Sequence, residues 1–196
     1  DAGIEIKTTS VMFYGGTRAE YLSDDQIVSE AMDKSESYRG ELTTAELATD
    51  LSADAIVEKR MSTTYFFGEK GDEIADYSHN YKLSGDTGVG TDIKTTSIMY
   101  YADLDASGDP IPDSAERAGE LTTAEEKIAS AMTRSESYRG SVDPVNPLVD
   151  KRMSTTYFYG DKGDEIANYS YNYKLFGMDA GIEIKTTSVM FYGGTR

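Results

Sequence analysis

Residues 1–18 read DAGIEIKTTSVMFYGGTR, and residues 179–196 read DAGIEIKTTSVMFYGGTR again, letter for letter, at an offset of 178 residues. An ordinary globular domain does not begin and end on the same eighteen residues, so the chain is expected to be a length of something that repeats along a line. Shorter echoes lie between the two copies. Residues 59–84, KRMSTTYFFGEKGDEIADYSHNYKLS, return as residues 151–176, KRMSTTYFYGDKGDEIANYSYNYKLF. Five positions differ: Phe67/Tyr159, Glu69/Asp161, Asp76/Asn168, His79/Tyr171 and Ser84/Phe176. KSESYRG at 34–40 returns as RSESYRG at 134–140. IKTTSVM at 6–12 returns as IKTTSIM at 93–99, before its identical copy at 184–190. In chain order these make three unit types, KTTS(V/I)M(F/Y)Y, (K/R)SESYRG and RMSTTYF(F/Y)G, cycling twice within the 178-residue period. Six units of about 30 residues result, a size usual for tandem supersecondary repeats. Residues 1–92 hold the first half-period of three units, 93–178 hold the second, and 179–196 start the next period.

The units read as strands. Met61, Thr63, Tyr65 and Phe67 fall on one face of an extended chain, with Ser62, Thr64 and Phe66 on the other. Thr, Tyr and Phe suit a pleated, half-buried surface. Residues 68–72, GEKGD, form a turn, since Gly takes φ > 0 at little cost. The next run puts Ala75, Tyr77, His79, Tyr81 and Leu83 opposite Asp76, Ser78, Asn80 and Lys82. Gly-rich turns at 85–90 and 177–181 lead into strands expected over 93–101 and 182–192. The expected result is a three-stranded antiparallel meander, present twice. Helix starts lie between the meanders: capping boxes at Ser23–Gln26, Thr43–Glu46 and Thr122–Glu125. Such short helices need a sheet to pack on. Pro144 and Pro147 stiffen residues 143–148 as an extended connector. The fold class is therefore mainly β: tandem antiparallel hairpin or meander repeats stacked in an open array or solenoid, with short connecting α-helices.

YFYGDKGDEIANYSYNYKL, residues 157–175, resembles the tyrosine-rich YD repeat of rearrangement-hotspot proteins and teneurins. Tyr157, Tyr159, Gly163 and Ile166 carry the resemblance, while Gly160 stands where the motif has Asp. It covers two of the six units well and the others loosely. The resemblance implies long hairpins stacked side by side in a spiral, in a bacterial surface or fibre protein. The inter-unit helices and the near-perfect duplication depart from that family's closed, cargo-enclosing shells and fit an open array better.

Composition narrows the partners. With 19 basic and 35 acidic residues the formal charge is −16, which repels nucleic acid and anionic membranes and favours cations. There is no Cys, so disulfides, thiolate chemistry and common structural zinc sites are excluded. No apolar run nears the roughly 20 residues that span a bilayer, and nothing resembles a signal peptide; membrane insertion is not expected. Asp103, Asp105, Ser107, Asp109 and Asp113 place oxygens at alternate positions around Gly108, as in calcium loops, and form a candidate calcium site. The competing reading is a solvated acidic loop stiffened by Pro110 and Pro112. Asn168-Tyr169-Ser170 is the sole N-x-S/T sequon, a candidate glycosylation site that its twin lacks at Asp76. His79 is the lone histidine and Tyr171 replaces it in the twin, which points to cross-strand packing rather than catalysis. The 15 tyrosines read as a sheet core with hydroxyls reaching partners. No catalytic constellation emerges, and the chain is read as a non-enzyme. The expected role is structural: an extracellular helical fibre or surface filament that self-associates along its axis. An adhesin stalk or carbohydrate-binding repeat module is the alternative, and a YD-repeat shell segment enclosing a cargo is a second alternative.

Overall fold

The alternating Ser, Thr, Tyr and Phe residues do extend the backbone. The computed structural model describes residues 5–85, 87–103, 114–121 and 129–192. Its strands are β1 (Thr8–Tyr14), β2 (Met32–Arg39), β3 (Arg60–Phe67), β4 (Ile74–Tyr81), β5 (Ile93–Tyr101), β6 (Met132–Arg139), β7 (Arg152–Tyr159), β8 (Ile166–Tyr173) and β9 (Ile184–Val189). Each pairs antiparallel with the next in the chain, giving one open nine-stranded sheet in sequential order. The strand expected over 93–101 is β5 itself; β4 stops two residues short of Leu83, and β9 is shorter than 182–192. The main departure from two separate meanders lies in the SESYR strands. β2 and β6 each sit between two neighbours and join everything into a single sheet.

Matching sequence produces matching ladders. β1 sets Thr8 against Arg39 and Val11 against Glu36; β5 sets Thr95 against Arg139 and Ile98 against Glu136. A bulge follows at Phe13/Tyr14 in the first pair and at Tyr100/Tyr101 in the second. Read across the strands, one face carries Glu36, Thr63, His79 and Thr96, flanked by Tyr65, Tyr77 and Ile98. The opposite face carries small hydroxyls in register, Ser10 with Ser37, Ser37 with Ser62, Thr64 with Ser78 and Ser78 with Ser97.

A single-layer sheet must bury its apolar face under its own connections, and it does. Val11 and Tyr38 pack with Leu42 and Ile56 from the connection after β2, with Phe13, Leu47 and Leu51 around them. Ile98, Tyr100 and Tyr138 pack with Val142 in the same way. At one end of the strands, Ile74 and Tyr101 pack with Ala118 and Leu121. The helices are short: α1 (Asp24–Ser29), α2 (Thr44–Leu47) and α3 (Asp54–Val57). Both expected capping boxes within the described residues form, Ser23 with Gln26 and Thr43 with Glu46. Lys59, then the Thr43 amide, hold the Glu46 carboxyl down at about 2, so this cap stays ionised. The third box, at 122–125, lies outside the described residues, and α3 has no side-chain cap that would announce it. Among the described residues no helix is long and apolar enough to cross a membrane.

Two turns tolerate only glycine. Gly90 (φ +67°) and Gly181 (φ +71°) lie against backbone, where an added Cβ would overlap the carbonyl oxygen of Val57 or Val149. Gly71 also has φ > 0 (+91°) but faces open space. Gly71→Ala should therefore cost only the left-handed strain, about 1–2 kcal/mol. Gly90→Ala should lose clearly more, on the order of 3 kcal/mol, because backbone must move. Urea denaturation of the two variants side by side checks the difference.

Candidate functional site

Two buried carboxylates sit at corresponding points of the sheet. Glu36 on β2 is 6% exposed and accepts the Tyr38 hydroxyl. Its Oε1 lies 3.1 Å from Lys34 Nζ and 3.6 Å from Arg60 Nη1. Glu136 on β6 accepts Tyr138 and lies 3.6 Å from Arg134 Nε and 3.3 Å from Arg152 Nη1. Burial, then the hydrogen bond to its glutamate, push the pKa of Tyr38 and of Tyr138 far up, so both hydroxyls remain donors. The arginine does more than neutralise. Arg60 stacks over Tyr81 at 4.4 Å and donates from Nε and Nη2 to the Gly90 carbonyl at 3.0 and 2.8 Å. Arg152 repeats this over Tyr173, reaching Gly181 at 3.1 and 2.9 Å. Each glutamate is shared by two cations, and Arg134 Nε is buried without a hydrogen-bond partner among the described residues, so the arrangement is that of a brace.

The residues singled out in the sequence scatter. Asp103 follows β5, and its amide donates to Ser114 Oγ at 2.8 Å; Asp105, Ser107, Asp109 and Asp113 lie outside the described residues. Among the described residues no cluster of three acidic, His or Cys side chains is placed to hold a metal. Asn168 lies half-buried at the β7–β8 bulge, where its carbonyl accepts the Met190 amide at 2.9 Å. Its twin Asp76 is 7% exposed and paired with Arg117, a buried ion pair that the one-letter difference between copies did not announce. His79 packs on β4 against Tyr65 (5.8 Å) and Tyr77 (5.3 Å). Tyr171 meets Tyr157 and Tyr169 at the same distances. The histidine thus occupies a ring site, and its Nε2 is buried without a hydrogen-bond partner among the described residues.

What remains open are the two ends of the sheet. The sequence that forms β5 in the middle, with neighbours on both sides, forms β1 with a partner on one side only and β9 with a partner on the other. Burial follows. Ile98 of β5 is fully buried, its counterpart Val11 of β1 is 7% exposed, and Val189 of β9 is 38% exposed. All six residues of β9 are exposed. A groove of about 440 Å³ runs along β1 beside Val11, Tyr14 and Tyr21, and one of about 610 Å³ lies beside β8 and β9 at Met153, Leu175 and Phe176. Edge strands of this kind are templates for further pairing. No family model, curated protein or solved structure matches the chain.

Burial lowers the His79 pKa below its ordinary 6.5. The unfolded chain therefore takes up a proton that the folded one refuses, and stability falls as pH drops through and below about 6.5. His79→Tyr, which installs the twin's residue, should remove that part of the acid sensitivity. Melting temperatures of both proteins at pH 7 and pH 5 would show it as a smaller drop, by a few degrees, in the variant.

Proposed function

We propose that the chain is a structural protein whose 178-residue period builds an extracellular helical fibre or surface filament. One observation carries this reading: β1 and β9, drawn from the two copies of the repeated eighteen residues, stand at the two open edges of the sheet, each lacking the neighbour that the other has. Identical units joined by one fixed operation continue without closing unless the rotation happens to form a ring. In this reading the meanders stack as an open solenoid-like array, each period holding its neighbours in place. The strong negative charge, −16 per chain, keeps fibres soluble and apart. No catalytic role is assigned, and the acidic stretch at 103–113 is kept as a candidate calcium loop.

The exposed rings of Tyr159 and Phe176, 76% and 77% accessible, favour a second reading in which such an array is an adhesin stalk that stacks sugars. Electron microscopy of the purified chain at rising concentration separates the readings. Long filaments with a regular axial repeat are expected; discrete closed particles would argue for a shell, and a strictly monomeric protein would refute the assembly.

A further inference from the structure

The open edge of β9 has a template for its missing neighbour inside the same molecule. β1 and β9 come from identical copies of one stretch and share TTSV, residues 8–11 and 186–189, and β2 occupies the edge of β1 that β9 leaves free. β5 shows both edges filled at once, and its pairing with β6 keeps the register of β1 with β2, bulge included. The side-chain clasp is the same in both. Thr9 Oγ1 donates to the Gly40 carbonyl at 2.8 Å, and Thr96 Oγ1 donates to the Gly140 carbonyl at 2.8 Å. The Gly40 amide reaches the Lys7 carbonyl as the Gly140 amide reaches that of Lys94, each at 2.8 Å.

β9 is already built for such a joint on its other side. Asn172 donates to Thr186 Oγ1 at 3.2 Å as Asn80 does to Thr95 at 3.1 Å. Tyr192 donates to the Ala167 carbonyl at 2.8 Å as Tyr101 does to Ala75 at 2.6 Å. Only the outer edge lacks its counterpart, and there the apolar side chains of Ile184 and Val189 are 45% and 38% exposed.

Resting on the filament reading, we propose that the occupant of this edge is a second copy of the chain, and that β9 joins it by taking the place of β1. The register is set: Thr186 against the partner's Arg39, Thr187 against the partner's Tyr38, Ser188 against the partner's Ser37 and Val189 against the partner's Glu36. Val189 then enters the cluster of the partner's Tyr38, the partner's Leu42 and the partner's Ile56, where Val11 sits in the single chain. The exchange is nearly neutral in contacts at the partner's β2, because one DAGIEIKTTSVMFYGGTR replaces another. The gain is on the far side. Among the described residues no strand lies beyond β1, whereas β9 brings β8 and the rest of its sheet. Exchange of an identical element is a low-cost route to assembly, and period two of the pleat admits no one-residue slip.

Disulfide trapping tests the joint, since the chain has no cysteine of its own. Ser10 and Ser37 already sit with their hydroxyls 3.4 Å apart, so Ser188 in the place of Ser10 brings positions 188 and 37 within bonding range. Within one chain the two positions are seven strand spacings apart, roughly 33 Å, and cannot link. The S37C/S188C protein should give a ladder of disulfide-linked multimers on mild oxidation. The S35C/S188C protein, on the same face but a residue pair out of register, should give little. As a second measurement on the unmodified chain, a synthetic peptide of residues 1–18 should compete for β2 and shorten the assemblies severalfold in sedimentation. Absent cross-links from S37C/S188C, equal cross-linking in both variants, or indifference to the peptide would overturn the joint. Filaments without the cross-link would spare the filament reading and reject this joint; cross-linked dimers that never elongate would do the reverse.

Discussion

One guanidinium group in each half holds the sheet in shape. Arg60 on β3 faces Glu36 on β2, lies over Tyr81 on β4 and bonds the carbonyl of Gly90 just before β5. Four consecutive strands are thereby referred to a single planar, permanently charged group. Arg can do this because its fork, its flat face and its charge act in three directions at once; the point charge of Lys cannot. Arg152 does the same for β6 to β9. The glycines at 90 and 181 follow from this, since the turn must press close enough to present its carbonyl. The buried glutamates follow too, because a half-buried cation without a carboxylate beside it would be costly.

A second constraint comes from having only one layer. A sheet with no partner sheet finds its cover in its own connections, and these can reach only part of it. The face beneath them is therefore built from tyrosines, whose rings bury area while their hydroxyls reach Glu36, Glu136 or the Ala75 carbonyl. The other face carries small Ser and Thr in register and is covered at one end of the strands, where Met99 and Tyr101 meet Ala118 and Leu121. Bulges at matching places in the ladders add local twist at each crossing.

Much of this was legible in the residues. The alternation in 61–67 and 93–101, the GEKGD and GDKGD turns and the two capping boxes at Ser23 and Thr43 all report local physics, and local physics prevailed. What stayed hidden depended on partners distant in the chain. KSESYRG was read as a strand unit, but its polar composition gave no sign of a central place in the sheet, because Glu36 is buried with the help of Arg60, some two dozen residues on, as well as Lys34 and Tyr38. Alternation placed Asp76 with Ser78 and Asn80 but gave no sign that Arg117, from the connection after β5, would bury it in an ion pair. Six repeating motifs were counted where the sheet has eight strands before the copy of β1, because each RMSTTYF unit carries a second strand, the YSHNY or YSYNY run already placed in its meander. Functionally, the duplication of residues 1–18 was visible at once, but the fact that its two copies expose opposite edges needed the ladder.

The contrast between Asp76 and Asn168 has a mechanical meaning. Force applied across the sheet, from β1 toward β9, acts along the ladder hydrogen bonds and meets the strand boundaries in series. In series each boundary bears the entire load, so rupture starts at the weakest rather than being shared. Opening the β4–β5 boundary also strips Arg117 from Asp76 and leaves two buried charges unpaired, a cost of about 3–5 kcal/mol. The β8–β9 boundary, with a neutral amide at the matching place, carries no such charge on its β8 side. Under tension across the sheet the β8–β9 boundary would therefore open at a lower cost than its counterpart between β4 and β5, although both still carry an arginine bonded to the glycine carbonyl of the connecting turn.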